Sequence, residues 1–239
     1  MTELSKAGVW ITGASSGIGR AAACEFARTG SKVFVSSRKV GELEMLQKEL
    51  SREELGVEVF PCNVASFTNV EQTVKKIIAG HPVDCLINNA GITSFKKAES
   101  NSIQEINDII NTNLLGAIYT IKYILPHMIE RKGGTIINIL SIITKKIFDS
   151  STVYAASKAG LLAYSNFLRE EVRKYNIKII NVVPGAVESS IWPESVRKDN
   201  AGKMMKPEDI AQMLVWLYLQ KGNMVTEEIV LRPITGDLS

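Results

Sequence analysis

The chain has little that would cross-link it, hold a metal or anchor it in a bilayer. Among 239 residues there are only three cysteines, Cys24, Cys62 and Cys85, at no metal-binding or redox spacing. An odd, scattered set implies free thiols in a reducing compartment. Histidine is scarcer, with His81 and His127 alone, so no metal is expected in the absence of paired cysteines. No apolar run approaches the length of a bilayer span, and Met1 to Gly8 has no apolar stretch of the secretory kind. A cytoplasmic location with no membrane partner is therefore expected. Charge of one sign is also lacking: 28 Lys and Arg against 25 Asp and Glu leave only +3, which argues against a nucleic-acid partner. No Pro/Gly/Ser-rich linker, repeat or low-complexity tract divides the chain, so residues 1–239 are expected to form a single domain.

What is present is alternation. Short apolar runs occur at 8–12, 32–35, 57–60, 83–87, 135–140, 178–183 and 227–231. Helical spacing fills 17–30, 41–55, 67–79, 102–131, 153–175 and 207–220. Several runs are almost continuous in Val, Ile and Leu, as required of strands covered on both faces. Strand and helix in turn predict an α/β fold with helices on both faces of a parallel sheet. Residues 188–206, "ESSIWPESVRKDNAGKMMK", have no steady period and are expected to be a loop, either plain surface or a lid over a site.

The first strand runs into "TGASSGIGR", residues 12–20, with glycines at 13, 17 and 19 ahead of a helix. Gly13 permits a tight turn, Gly17 lets backbone approach a ligand, and Gly19 lets the helix pack close to the sheet. The first helical amides and the helix dipole then favour a pyrophosphate. The second strand, "VFVSSRK" (33–39), ends without an acid. An acid there would bond the ribose hydroxyls of NAD, whereas an Arg accommodates the 2′-phosphate of NADP. Ser37 can donate a hydrogen bond and Arg38 can grip a phosphate through two, so NADP(H) is expected ahead of NAD(H). An ordinary solvated Arg is the competing explanation, and Lys39 is expected to be only a surface charge.

Later, Tyr154 and Lys158 lie four apart on one helix face, with Ser151 or Thr152 as N-cap. A neighbouring ammonium favours the phenolate and makes a Tyr useful in proton transfer. Such pairs are common, and this one gains weight from its surroundings. In order along the chain stand "TGASSGIG" (12–19), "NNAG" (88–91), "NTNLLG" (111–116), "NILS" (138–141), "YAASK" (154–158) and "PGAVESS" (184–190). With these the chain resembles the short-chain dehydrogenase/reductase family over essentially its full length.

The resemblance implies a Rossmann-like, doubly wound, seven-stranded parallel sheet with a nicotinamide cofactor across its carboxyl edge. It implies Tyr154 as acid-base residue and Lys158 as the group that lowers the Tyr pKa and bonds the nicotinamide ribose. Ser141 would hold the substrate oxygen and Asn113 would support a water in the proton relay. Cofactor contacts are implied for Gly13, Ser15, Ser16, Gly17, Ile18 and Gly19 in the first turn, and for Ser37 and Arg38 beyond the second strand. They are implied too for Asn63 and Val64 after the third strand, and for Asn89, Ala90 and Gly91 after the fourth. Pro184, Gly185, Val187 and Ser189 would line the nicotinamide. Two hydroxyls aimed at a developing alkoxide also make chemical sense without the family.

Departures from the family pattern are Asn63 where an Asp is usual, Thr144 where a Gly is frequent, and Ser189 for a Thr. None removes a catalytic group. The expected activity is interconversion of a carbonyl and a secondary alcohol, with a 3-oxoacyl or 3-hydroxy acid compound as substrate. A cofactor-binding sensor or scaffold with little turnover is the alternative. Leu114, Ile118, Ile121, Leu125, Tyr119 and Tyr123 give 114–131 more than one apolar face. Since family members often pair this helix and 153–175 across two-fold axes, a homotetramer or homodimer is expected. Pro126 is expected to kink or end the former.

Overall fold

The computed structural model describes residues 7–220 and 222–238. The strands are β1 (Gly8–Thr12), β2 (Lys32–Ser36), β3 (Val57–Val59), β4 (Cys85–Asn88), β5 (Gly134–Ile139), β6 (Ile177–Pro184) and β7 (Glu228–Leu231). They join one sheet in the order β3-β2-β1-β4-β5-β6-β7, and every pairing is parallel. The order reverses between β1 and β4, which opens a crevice at the carboxyl edge where ligands of such sheets bind. The seven-stranded, doubly wound fold expected from the sequence is the one found.

Alternate side chains of the central strands feed two separate cores, as a parallel sheet covered on both faces requires. Val9, Ile11, Val33 and Val35 pack with α1 (Gly17–Arg28), α2 (Val40–Arg52) and α8 (Pro207–Leu219), burying Phe26, Leu43 and Leu214. Trp10, Phe34 and Leu86 face α3 (Phe67–Gly80), α5 (Gly116–Glu130) and α6 (Thr152–Val172), burying Ile77, Ile124 and Leu168. Each such side chain contributes on the order of 1.5–3 kcal/mol relative to exposure. Among the described residues, no helix is long and apolar enough to cross a membrane.

Through the second core runs a polar ladder. Asn88, Asn138 and Asn181 stand in register on β4, β5 and β6. Asn88 Nδ2 donates to Asn138 Oδ1 at 3.0 Å, and Asn138 Nδ2 donates to Ser165 Oγ on α6 at 2.9 Å. Thr120 Oγ1 on α5 donates to Asn88 Oδ1 at 2.6 Å. All five residues are buried, and these bonds fix the depth and register of two helices against β4 and β5.

Three local expectations need correction. The single helix expected over 102–131 is broken: α4 (Ile103–Ile110) and α5 flank a π turn at Asn111–Leu115. Asn111 and Asn113 left the apolar periodicity undisturbed, and Asn113 bonds Ile92 and Ser157 far along the chain, so no break was legible. Pro126 does not end α5, which continues to Glu130. Within 188–206, residues Glu194–Asp199 form a short helix, α7.

The ladder yields the first prediction. Asn138→Leu strands the Asn88 amide and removes the donor to Ser165 Oγ, which keeps its own bond to the Leu161 carbonyl; this should cost about 1–3 kcal/mol in urea unfolding. Unchanged stability would show that the ladder does not hold the layers.

Candidate active site

The carboxyl edge of the sheet brings the glycine-rich turn, the segment after β4 and the opening of α6 together. Gly13 has φ +67°, and a Cβ there would lie 2.7 Å from Ala90 Cα. At Gly19 a Cβ would lie 2.4 Å from Asn89 Nδ2 and 2.5 Å from the Gly13 carbonyl oxygen. Gly19 thus makes room for Asn89, a more specific role than close packing of helix on sheet. The Asn89 amide donates to the carbonyls of Thr12 at 3.0 Å and Gly13 at 3.1 Å. Thr12 Oγ1 in turn accepts from the backbone N–H groups of Asn89 and Ala90. Asn89 therefore braces the turn from within.

Ser16, the N-cap of α1, makes no side-chain cap bond, and no acid stands in the first turn. Its hydroxyl instead meets that of Ser190 at 3.2 Å. A Cβ on Gly17 would lie 2.9 Å from Ser189 Cβ, so the segment after β6 closes over the turn. Ile18 packs beneath, against the first core. First-turn amides without a capping side chain and a turn that excludes Cβ atoms fit a pyrophosphate.

At the end of β2, Ser36 is buried and spent internally, accepting from Trp10 Nε1 at 2.9 Å and donating to the Phe60 carbonyl at 2.7 Å. Ser37 Oγ donates to Ser15 Oγ at 2.9 Å, which ties the two loops together. Arg38 is exposed, and among the described residues no carboxylate pairs with it. Asn63 is exposed too, with Oδ1 accepting from Ala65 N–H at 3.2 Å, while buried Val64 packs against Gly116. Pro184 ends β6, the Gly185 N–H donates to Leu231 O at 2.7 Å, and Val187 forms a parallel bridge with Met205. These residues lie at or beyond the carboxyl ends of β2, β3 and β6, as Ala90 and Gly91 do for β4, so a dinucleotide fits the residues present.

Asn113 sits in the π turn and is 1% exposed. Its Oδ1 accepts from Ile92 N–H at 2.8 Å, and its Nδ2 donates to Ile92 O at 2.8 Å and to Ser157 Oγ at 3.0 Å. Its side chain is thus committed to holding the segment that follows Gly91. Ser157 completes this clamp by donating to the Tyr154 carbonyl at 2.7 Å. The sequence reading missed Ser157; its place inside "YAASK", one residue before Lys158, was the available signal.

Ser151 caps α6 in sequence but makes no side-chain cap bond. Ser141 accepts from Ile143 N–H at 3.3 Å and opens a 3-10 turn. Burial pushes the Tyr154 phenol up to about 12, and the hydrogen-bonding Ser141 hydroxyl offsets part of that rise. Burial also pulls the Lys158 ammonium down to about 8. Lys158 Nζ donates to the Ile139 carbonyl at 2.7 Å and stands 5.8 Å from the centre of the Tyr154 ring. In this geometry desolvation outweighs any lowering of the phenol by the ammonium. Tyr154 keeps its proton across neutral pH, and Lys158 remains mostly charged below about 8.

The comparisons agree with this arrangement. A family model described as short chain dehydrogenase matches residues 7–200, and the chain belongs to the short-chain dehydrogenase family. Sepiapterin reductase of Chlorobaculum tepidum is 35% identical over 237 residues, covering 95% of this chain and 96% of that protein. A metagenomic short-chain oxidoreductase solved with NADP superposes with a TM-score of 0.86 at 28% identity, over 97% of this chain and 99% of its own. A variant of actinorhodin polyketide ketoreductase solved with NADPH gives 0.88 at 27%, over 97% of both.

The buried ammonium makes a prediction of its own. One lysine should titrate near pH 8 in side-chain NMR, and Lys158→Arg should remove that signal. Titration of every lysine near the ordinary ~10.4 would contradict the burial argument.

Proposed function

We propose that this chain interconverts a carbonyl and a secondary alcohol using NADP(H), with Tyr154 as the acid-base group. The observation that carries the cofactor is the end of β2, where Ser37, tied to Ser15, stands beside an exposed Arg38 that pairs with no carboxylate among the described residues. An acid there would repel a 2′-phosphate, whereas Arg38 and the two hydroxyls attract one. The related structures solved with NADP and NADPH support the same choice. The nicotinamide, when bound, supplies or accepts the hydride.

The chain's own residues do the rest. A phenol held up to about 12 carries its proton at neutral pH and can give it to a substrate oxygen. As charge grows on the substrate oxygen, the hydroxyls of Ser141 and Tyr154 are the donors aimed at it. Lys158, charged below about pH 8, stabilises the phenolate left when Tyr154 gives up its proton. Asn113 keeps the wall after Gly91 at a fixed distance from Lys158, in support of the proton relay. Reduction should therefore weaken as pH rises through about 8, because the ammonium is lost there.

Residues 188–206 are the substrate loop. The 3-oxoacyl or 3-hydroxy acid substrate draws support from the likeness to a polyketide ketoreductase. The likeness to sepiapterin reductase favours a second substrate class, a ketone carried on a flat bicyclic ring. Three free thiols, Cys24, Cys62 and Cys85, suit a cytoplasmic protein.

Tyr154→Phe should lower turnover about 100- to 10,000-fold while nucleotide still binds. Arg38→Ala should weaken NADPH about 10- to 100-fold and leave NADH nearly unchanged. Unaltered turnover in the first, or equal losses for both cofactors in the second, would reject the corresponding role.

The chain also works as a homodimer or homotetramer in this proposal. Phe167 on α6 is 77% exposed and Phe67, stacked edge-on against Tyr119 of α5, is 54% exposed. These apolar side chains flank the two helices expected to pair. Phe167→Glu should give a smaller species by light scattering, and an unchanged mass would remove that surface from the interface.

A further inference from the structure

Asp237 lies beyond β7, yet its carboxylate is only 4% exposed and is held by cations from two different segments. Arg232 Nε donates to Oδ1 at 3.1 Å and Arg232 Nη2 to Oδ2, while Lys146 Nζ donates to Oδ2 at 3.0 Å. The Gly236 N–H bonds the Pro233 carbonyl at 2.9 Å, and Gly236 itself has φ +90°, a turn that carries Asp237 back onto Arg232. The same segment borders the cleft already described. A Cβ on Gly185 would lie 3.1 Å from Pro233 Cδ, and Thr235 Oγ1 donates to the Lys203 carbonyl at 3.4 Å.

Lys146 stands on the turn that opens at Ser141, and that turn is closely bonded. Thr144 donates to the Ser141 carbonyl through its N–H at 3.1 Å and its hydroxyl at 2.9 Å. The N–H groups of Lys145 and Lys146 both donate to the Ile142 carbonyl, at 2.8 and 2.9 Å. Ile143 N–H, inside the same turn, donates to Ser141 Oγ at 3.3 Å, so the turn sets where that hydroxyl points. Lys145 Nζ also pairs with Glu228 of β7 at 2.8 Å, and two consecutive lysines thus fasten the turn to β7 and the segment after it. The Lys145 pair is part-exposed on both sides and contributes little. The Asp237 carboxylate differs, because a buried charge that loses one of its cations is left short of a partner.

We infer that Asp237 is a positioning residue, acting through Lys146 to hold the Ser141 hydroxyl where the reacting oxygen meets it. The inference rests on the oxidoreductase proposed above and adds to it a residue that no spacing in the sequence connects to the site. Asp237 touches neither substrate nor cofactor in this role, since Arg232 and Lys146 occupy both of its oxygens. A donor displaced by about 1 Å can cost about 100-fold in rate even when the change lies far from the chemistry. Tyr154 and Lys158 are held separately, by Ser157 and the Ile139 carbonyl, so the loss should fall on Ser141. Nucleotide binding at the glycine turn and the end of β2 should be untouched.

The test offers the full chain NADPH and a panel of ketones, sepiapterin and an acetoacetyl thioester among them, with nicotinamide absorbance as readout. Asp237→Asn should lower kcat about 10- to 100-fold for every accepted ketone, with Kd for NADPH within about twofold. Asp237→Glu, which keeps the charge, should recover most of that loss. Lys146→Met breaks the same bond from the other side, and the double variant should lose no more than the worse single one. Trypsin supplies a readout that needs no turnover: cleavage after Lys145 or Lys146 should be about tenfold faster in Asp237→Asn than in wild type. Unchanged kcat in Asp237→Asn, unchanged cleavage, additive losses in the double variant or an equal loss of NADPH affinity would overturn the positioning role and leave the oxidoreductase proposal standing. No turnover of any ketone by the wild type would instead sink the oxidoreductase proposal and reduce Asp237 to a structural tie.

Discussion

The Asn89 amide, pressed against the carbonyls of Thr12 and Gly13, holds the two halves of the cleft in one frame. Those carbonyls end β1, and Asn89 follows β4, so the bond closes the gap where the strand order reverses. The contact needs space that a Cβ at Gly13 or Gly19 would occupy. The glycine pattern is therefore a socket for Asn89 as well as a turn that leaves the first helical amides open. Once the socket is filled, Ala90 and Gly91 are placed, and beyond them Ile92 comes within reach of Asn113.

From Asn113 the order passes to Tyr154 and Lys158. A π turn lets its side chain face Ile92 and Ser157 at once, and Ser157 bonds the carbonyl of Tyr154. Tyr154 and Lys158 are thus positioned by hydrogen bonds to backbone and hydroxyl groups, and among the described residues neither makes an ion pair. The same burial holds the phenol proton on and loosens the ammonium proton. Desolvation acts on both groups in the directions expected of it, toward the neutral form of each.

Further from the chemistry, the buried asparagine ladder carries this order into the helices. Asn138 reaches Ser165 on α6, the helix that carries Tyr154 and Lys158 at its beginning. Arg169, 7% exposed on the same helix, donates to Ile179 O on β6 and to Glu227 O just before β7. The helix is thus held to the sheet below the site as well as at its opening. The segment after β6 is tied across the cleft by the Val187–Met205 bridge, the contact of Ser16 with Ser190 and the stacking of Trp192 on Phe95.

By itself the sequence determined the strand and helix alternation, the parallel sheet, the glycine turn and the Tyr154–Lys158 face. These rest on local periodicity and on short-range steric demands, which neighbouring residues state directly. It also marked Ser37 and Arg38, because the absence of an acid at a strand end is legible once the strand's place is known. Only the tertiary structure decided what Gly19 makes room for, since Asn89 lies 70 residues away and no spacing rule connects them. The π turn at Asn111–Leu115, the clamp of Asn113 on Ile92 and Ser157, and the meeting of Phe95 with Trp192 belong to the same class. Each joins residues far apart in the chain, and their contact is set by where parallel strands end together rather than by anything written beside them.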